Sequence, residues 1–172
     1  MNQILLKTTK FNVERRIYQL DDRKSVKREL VVHPGAVLII PMINPNTVVM
    51  IRNYRYTVET ELLELPAGTL EPEESPIDCA TRELEEETGY IAGKIEPLGW
   101  FYTSPGFTNE IIHVFVAADL TPTAQRLDAT EQIQVQTMLL DEALDATTNG
   151  SIIDAKTIAA LHVYNYNLAR KT

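Results

Sequence analysis

Glu83, Glu86 and Glu87 are the side chains of this sequence whose types and spacing carry the most chemistry. The stretch from Ser75 to Thr88 reads as a helix. On a wheel advancing about 100° per residue, the three glutamates share one sector, at separations of three and four residues. Like charges that close repel. A merely solvated helix would intersperse lysines, yet this one has none and offers only Arg82 against its acids. Hard carboxylate oxygens on one rigid face are what Mg²⁺ or Mn²⁺ binds. Arg82, four residues before Glu86, is placed to hold a carboxylate in position. A cation bound there would let an acidic chain take up a polyanion.

A bare E-x-x-E-E cluster is usually a solvated acidic face, so the residues around it decide. Reading outward, the chain has Gly68, five residues, Glu74, seven residues, then Arg82-Glu83-Leu84-Glu85-Glu86-Glu87-Thr88-Gly89-Tyr90. At every fixed position this resembles the Nudix box, G-x5-E-x7-R-E-U-x-E-E-x-G-U, where U is aliphatic or aromatic. The resemblance implies a divalent-metal-dependent hydrolase of nucleoside diphosphates linked to another moiety. It implies that Glu83, Glu86, Glu87 and the backbone carbonyl of Ala67 hold the metal, with Glu86 counted as catalytic too. Glu74 and Arg82 would brace the loop and helix. Metal ions on a diphosphate hold it for in-line attack and acidify a water, so positioning and charge stabilisation carry most of such a reaction.

Further stretches resemble the ADP-ribose pyrophosphatase branch of that family. Ser104-Pro105-Gly106-Phe107-Thr108-Asn109-Glu110 matches its S-P-G-x-x-x-E element, with Pro105 sixteen residues after Gly89. Without a functional role, a Pro-Gly pair there is simply a turn. Arg28 and Arg55 stand where the branch places arginines on its substrate, and a guanidinium suits paired phosphate oxygens. The resemblance makes Ser104, Phe107 and Glu110 substrate-site residues, and Tyr18 or Phe107 the aromatic that stacks on the base. Glu131, before the last strand, matches the loop glutamate that serves as the base. The branch also implies a homodimer in which each subunit lends residues to the other's site. The implied reaction splits ADP-ribose or a related nucleoside diphosphate sugar into a nucleoside monophosphate and a sugar phosphate. A nucleoside triphosphate or dinucleoside polyphosphate hydrolase is the enzyme alternative, and a non-catalytic nucleotide sensor the alternative of another class.

Other reactive residue types carry no such pattern. Cys79 is the only cysteine, which excludes an intramolecular disulfide, and no Ser/His/Asp order surrounds it. His33, His113 and His162 lack ligand spacing. Trp100 lies in a strand run and is assigned to the core.

These residues need a scaffold to hold them. Ser75 suits a helix N-cap, Pro76 its first position, Asp78 the capping-box position and Gly89 its stop. Ile77, Ala80, Leu84 and Thr88 form the stripe expected to pack on a sheet. Val37 to Ile43 and Val48 to Tyr54 are apolar and β-branched around Asn44-Pro45-Asn46, as buried strands are. Leu62 to Leu65, Ile95 to Thr103, Ile111 to Ala118 and Ile133 to Leu140 are further strands. Asp141 to Thr148 and Asp154 to Ala169 are helices. The expectation is an α/β fold, a Nudix α/β/α sandwich with a mixed sheet over 36–172. Residues 1–35, with strand runs Ile4 to Thr8, Phe11 to Leu20 and Ser25 to Val32, should add a small N-terminal antiparallel sheet.

The bulk numbers agree with such a domain: 172 residues, 44% hydrophobic and 23% charged. A net charge of −8 argues against a nucleic-acid surface. The longest apolar run, 36–43, contains Pro41 and is too short for a membrane span. The first residues lack the features of a signal peptide, so a cytoplasmic location is expected.

Overall fold

The computed structural model describes residues 2–170. Three strands, β1 (Gln3–Lys7), β2 (Asn12–Asp21) and β3 (Lys24–Val32), form an antiparallel sheet in that order. The main sheet comprises β4 (Ala36–Asn44), β5 (Thr47–Arg55), β6 (Thr60–Glu64), β7 (Ala67–Thr69), β8 (Tyr90–Tyr102), β9 (Ile111–Pro122) and β10 (Ile133–Leu139). Its order is β10-β5-β4-β9-β8, with β6 on β5 and β7 on β4. The β4–β9 pairing is parallel and the others are antiparallel, so the sheet is mixed. Helix α1 (Pro76–Thr88) covers one face, while α2 (Leu140–Thr148) and α3 (Ala155–Ala169) cover the other.

Strand alternation explains the layering. Successive side chains on β4 point to opposite faces. Leu38, Ile40 and Met42 join Met50, Ala143 and Leu161 in one cluster, while Val37 and Ile39 join Ala80, Leu84 and Phe115 in the other. A strand buried on both faces must be apolar throughout, which is why 37–42 shows no polar alternation. Each fully buried Leu or Ile contributes roughly 1.5–3 kcal/mol relative to exposure. The expected α/β/α sandwich and small N-terminal sheet are thus both present.

The β4–β5 hairpin opens like a fork. The two strands pair only near their turn, at Met42–Val48 and Asn44–Thr47. Beyond that, β7 takes the free edge of β4 and β6 takes that of β5. Leu65-Pro66 links them at the crotch, where Ile39 N donates to Pro66 O at 2.9 Å. The glutamate-bearing loop and helix therefore leave the sheet from inside this fork. Strand β7, only Ala67-Gly68-Thr69, was not expected from sequence, because it has no apolar run and forms by pairing to β4.

Three other differences have local causes. Strand β8 begins at Tyr90, directly after Gly89 and ahead of the expected Ile95. Trp100 is 60% exposed rather than core, because β8 ends the sheet and pairs only with β9; its ring lies edge-on to Tyr102 at 5.5 Å. Ile77 is 45% exposed, and burial along α1 starts at Cys79 and Ala80 instead. No described helix is long and apolar enough to cross a membrane.

Candidate functional site

Helix α1 is fixed at both ends by the residues its sequence provides. Ser75 Oγ accepts from Asp78 N at 3.3 Å and donates to the Asp78 carboxylate at 2.5 Å. Gly89 is left-handed at φ 67°, and its N–H caps Glu85 O at 2.9 Å. A Cβ there would also lie 3.0 Å from Thr123 O and Gln125 N. Residues 123–126 strap this end: Thr123 N donates to Gly89 O at 2.7 Å, Gln125 Nε2 to Glu87 O at 2.6 Å and Arg126 N to Glu86 O at 2.9 Å.

The three glutamates share a sector, yet they sit at different depths. Glu87 is 3% exposed, whereas the Glu83 and Glu86 side chains are partly open. Arg82 ties the acids together. Its Nε and Nη2 grip Glu74 at 2.8 and 3.0 Å, while Nη1 reaches Glu83 at 2.7 Å and Glu86 at 3.0 Å. The bracing expected of Glu74 and Arg82 is therefore a direct bidentate ion pair. Hydrogen bonding to Arg82 holds the Glu74 carboxyl down to about 2. Burial, only partly offset by the Ala67 N–H, pushes Glu87 up to about 8. Burial also raises Glu83, against the pull of Arg82.

Gly68 lies directly beneath Glu83, where a Cβ would fall 1.8 Å from the carboxyl carbon. Ala67 N donates to Glu87 Oε2 at 2.9 Å. From the other side comes Glu131, held in a turn in which its Oε2 accepts from Asp128 N at 2.9 Å. Its charge acts on both Glu83 and Glu87, in the direction that raises them. The charge of Arg55 favours the ionised form of Glu87. Its Nε and Nη2 lie on Glu64 at 2.8 and 2.5 Å.

The donor set suits a hard divalent cation: three carboxylates, one of them buried without a full counter-charge, over a backbone kept clear of side chain at Gly68. The oxygens are turned toward Arg82 and Ala67 N, and no three described His, Cys, Asp or Glu side chains are already converged for an ion. By chemistry the residues fit such an ion.

The remaining substrate-site candidates lie elsewhere. The 104–110 loop is bound to the N-terminal sheet, with Val31 N donating to Phe107 O at 2.8 Å and Asn109 N to Val31 O at 3.3 Å. Asn109 also bridges His33 N and O. Glu110 accepts from Thr103 Oγ1 at 2.7 Å; its approach to His33 Nδ1 is no hydrogen bond, since that nitrogen accepts from Gly35 N. Ser104 O accepts from Phe107 N and Thr108 N, the turn that Pro-Gly predicts. Phe107 and Tyr18 both expose their rings. Arg28 is exposed on β3 opposite Arg16, and its Nη1 donates to Lys27 O. Among the described residues, no hydrogen bond or ion pair joins Arg28 or this loop to the helix acids.

Sequence reasoning missed Gln125 and Arg126, whose strap has no local signature, and Glu64. The signal for Glu64 was an acid between a buried strand and Leu65-Pro66. Cys79 is buried and its thiol is pushed up by desolvation, so it stays a packing residue.

Comparison with known proteins places the chain in a family. The NUDIX domain family matches residues 32–161. An ADP-ribose pyrophosphatase of Bacillus subtilis (strain 168) is 41% identical over 145 residues, covering 83% of this chain and 78% of that protein. A methanol dehydrogenase activator of Bacillus methanolicus is 43% identical over 155 residues, or 89% and 84%. A GDP-mannose pyrophosphatase of Escherichia coli O1:K1 / APEC is 33% identical over 139 residues, or 74% and 71%. The crystal structure of an ADP compounds hydrolase shares the fold, with TM-score 0.85 at 24% identity over 99% of this chain and 93% of that one. The family match takes in both faces of the sheet as well as the helix acids, and the chain belongs to the Nudix family.

Proposed function

We propose that this chain hydrolyses the pyrophosphate bond of ADP-ribose or a related nucleoside diphosphate sugar, giving a nucleoside monophosphate and a sugar phosphate. What carries the reading is the helix face of Glu83, Glu86 and buried Glu87, held by Arg82 over Gly68, with the charges of Glu131 and Arg55 acting on it. The 41% and 33% identical relatives, named for two diphosphate-linked sugars, support the substrate class. Mg²⁺, or Mn²⁺ in its place, would be held by Glu83, Glu86, Glu87 and the Ala67 carbonyl, and when bound it neutralises diphosphate charge and acidifies water. Glu131 takes the proton of the attacking water as its oxygen bonds to phosphorus and the bridging P–O bond breaks. The departing phosphate carries away the charge. Arg55 orients the diphosphate through N–H groups not spent on Glu64. Ser104, Phe107 and Glu110 line the nucleotide-sugar end in this reading. A second copy of the chain supplies Arg28, and the exposed Ile4, Leu6, Ile17 and Leu20 of the N-terminal sheet support its docking.

A panel of nucleotide sugars with Mg²⁺ or Mn²⁺ tests this. AMP and ribose 5-phosphate are expected from ADP-ribose. Pyrophosphate release from a nucleoside triphosphate would point to the triphosphate hydrolase instead, and binding without turnover to a sensor. A second reading, activation of a dehydrogenase, is favoured by the 43% identical relative. Methanol dehydrogenase assayed with and without the chain tests that reading.

Glu131→Gln is expected to lower kcat by about 100-fold or more, within the usual range for a general base, and to leave KM nearly unchanged. A change confined to KM would make Glu131 a binding residue.

A further inference from the structure

Glu64 is a carboxylate with no exposed surface, at the end of a strand inside the fork of the sheet. Such a group persists only if its lone pairs are filled. Arg55 fills one side, with Nε on Oε1 and Nη2 on Oε2. The other donor comes from the first turn of α3: Lys156 Nζ lies 2.7 Å from Glu64 Oε2 and 2.9 Å from Asp154 Oδ2. That turn is itself locked. Asp154 caps the helix by accepting from Thr157 N at 3.1 Å and Thr157 Oγ1 at 2.6 Å. The same Thr157 Oγ1 accepts from Leu65 N at 2.9 Å, joining the turn to the residue next to Glu64. Both Glu64 oxygens, the Lys156 ammonium and the Thr157 hydroxyl are thus engaged, which removes the rotational freedom a lone buried carboxylate would keep.

We infer that Lys156 is a positioning residue for Arg55: acting through the buried Glu64 carboxylate, it fixes the guanidinium in the orientation that meets the diphosphate. The inference rests on Arg55 binding the diphosphate, as proposed above. With Oε1 and Oε2 both engaged by Arg55 and Lys156 pinning Oε2 from behind, the carboxylate plane is set, and so is the plane of the guanidinium fork. Three N–H bonds of Arg55 remain free of Glu64, two on Nη1 and one on Nη2. Their direction is inherited from Glu64 and Lys156. Preorganisation of this kind sharpens phosphate binding without any contact from Lys156 to substrate.

Two measurements test it, on Lys156→Met and Lys156→Gln, with Lys156→Arg as the charge-retaining control. In nitrogen-15 spectra of the full chain, the Arg55 Nε–H signal, assigned by its loss in Arg55→Ala, should exchange slowly with solvent. It should exchange at least about tenfold faster in Lys156→Met and recover in Lys156→Arg, as expected when a supporting hydrogen-bond partner is lost and restored. For hydrolysis of ADP-ribose, Lys156→Met should raise KM by about tenfold with kcat within about twofold, and should add less than about twofold in an Arg55→Ala background. An unchanged Arg55 signal overturns the inference, as does an equal loss in the Arg55→Ala background. If the native chain cleaves no nucleotide sugar, the proposed function fails, and the Arg55 signal still decides the positioning role.

Discussion

Glu87→Gln protein is expected to lose more than about 100-fold in turnover, beyond the 10–100-fold typical of residues that only support a metal ligand, and to be the more stable protein when metal-free at alkaline pH. The two effects share one cause. Glu87 is 3% exposed and its carboxyl titrates at about 8, because burial penalises the charged form more than Ala67 N–H and Arg55 favour it. Between the ordinary carboxylate value of 4.5 and about 8, the folded chain keeps a proton that the unfolded chain has released. Stability of the metal-free protein therefore falls as pH rises through that window. Each unit of separation is worth about 1.4 kcal/mol, so the loss amounts to a few kcal/mol. Raised Glu83 acts in the same direction. Glu74, held near 2, acts oppositely, and its contribution disappears only as pH falls below 4.5 toward that value. Glutamine mimics the protonated acid, so the variant should match native protein in mild acid and exceed it above pH 8. A bound divalent cation reverses the order, since it competes with the proton for the same oxygens. Thermal melts from pH 5 to 9, with and without Mg²⁺, check this. Equal pH slopes for the two proteins would show that Glu87 does not carry the effect.

Gly68→Ala should keep the fold and lose about 100-fold in kcat/KM, the cost of misplacing a reacting group by about 1 Å. Gly68 does not have the left-handed backbone that reserves a position for glycine. Space reserves it, because an added Cβ would lie 1.8 Å from the Glu83 carboxyl and 2.4 Å from its Cγ. The yielding atoms belong to a flexible side chain, so the backbone can stay while Glu83 swings off Arg82 Nη1. The stability cost should be about 1–3 kcal/mol, that of one surplus methyl in a packed site. Activity loss with a melting temperature only slightly lowered is the expected outcome. Unfolding would instead mean that β7 cannot tolerate the methyl, and retained activity that Glu83 is dispensable.

Much of this molecule is legible in its sequence because its strongest signals are local. Ser75, Pro76 and Gly89 bound α1 where the sequence places the boundaries, since capping is settled within a few residues. The unbroken apolar run on β4 announces burial on both faces. The spacing from Gly68 to Tyr90 identifies the family, and the sector shared by Glu83, Glu86 and Glu87 follows from helical period alone. Period gives direction around a helix, and it cannot give depth. That Glu87 is buried while Glu86 stays open depends on Ala67 and the strap at Gln125, brought in from other parts of the chain. Long-range pairing likewise makes a strand of Ala67-Gly68-Thr69, leaves Trp100 on an edge strand, and brings the charge of Glu131 to bear on Glu87. The partners of Glu64 on β5 and α3 have no sequence spacing to betray them, because a buried charge is matched in space. Local signals thus fix which residues form the acidic helix and the strands that bear it. Which acid is desolvated and what holds Arg55 emerge from the packed fold, since burial and charge pairing are set by neighbours that meet when the chain has folded.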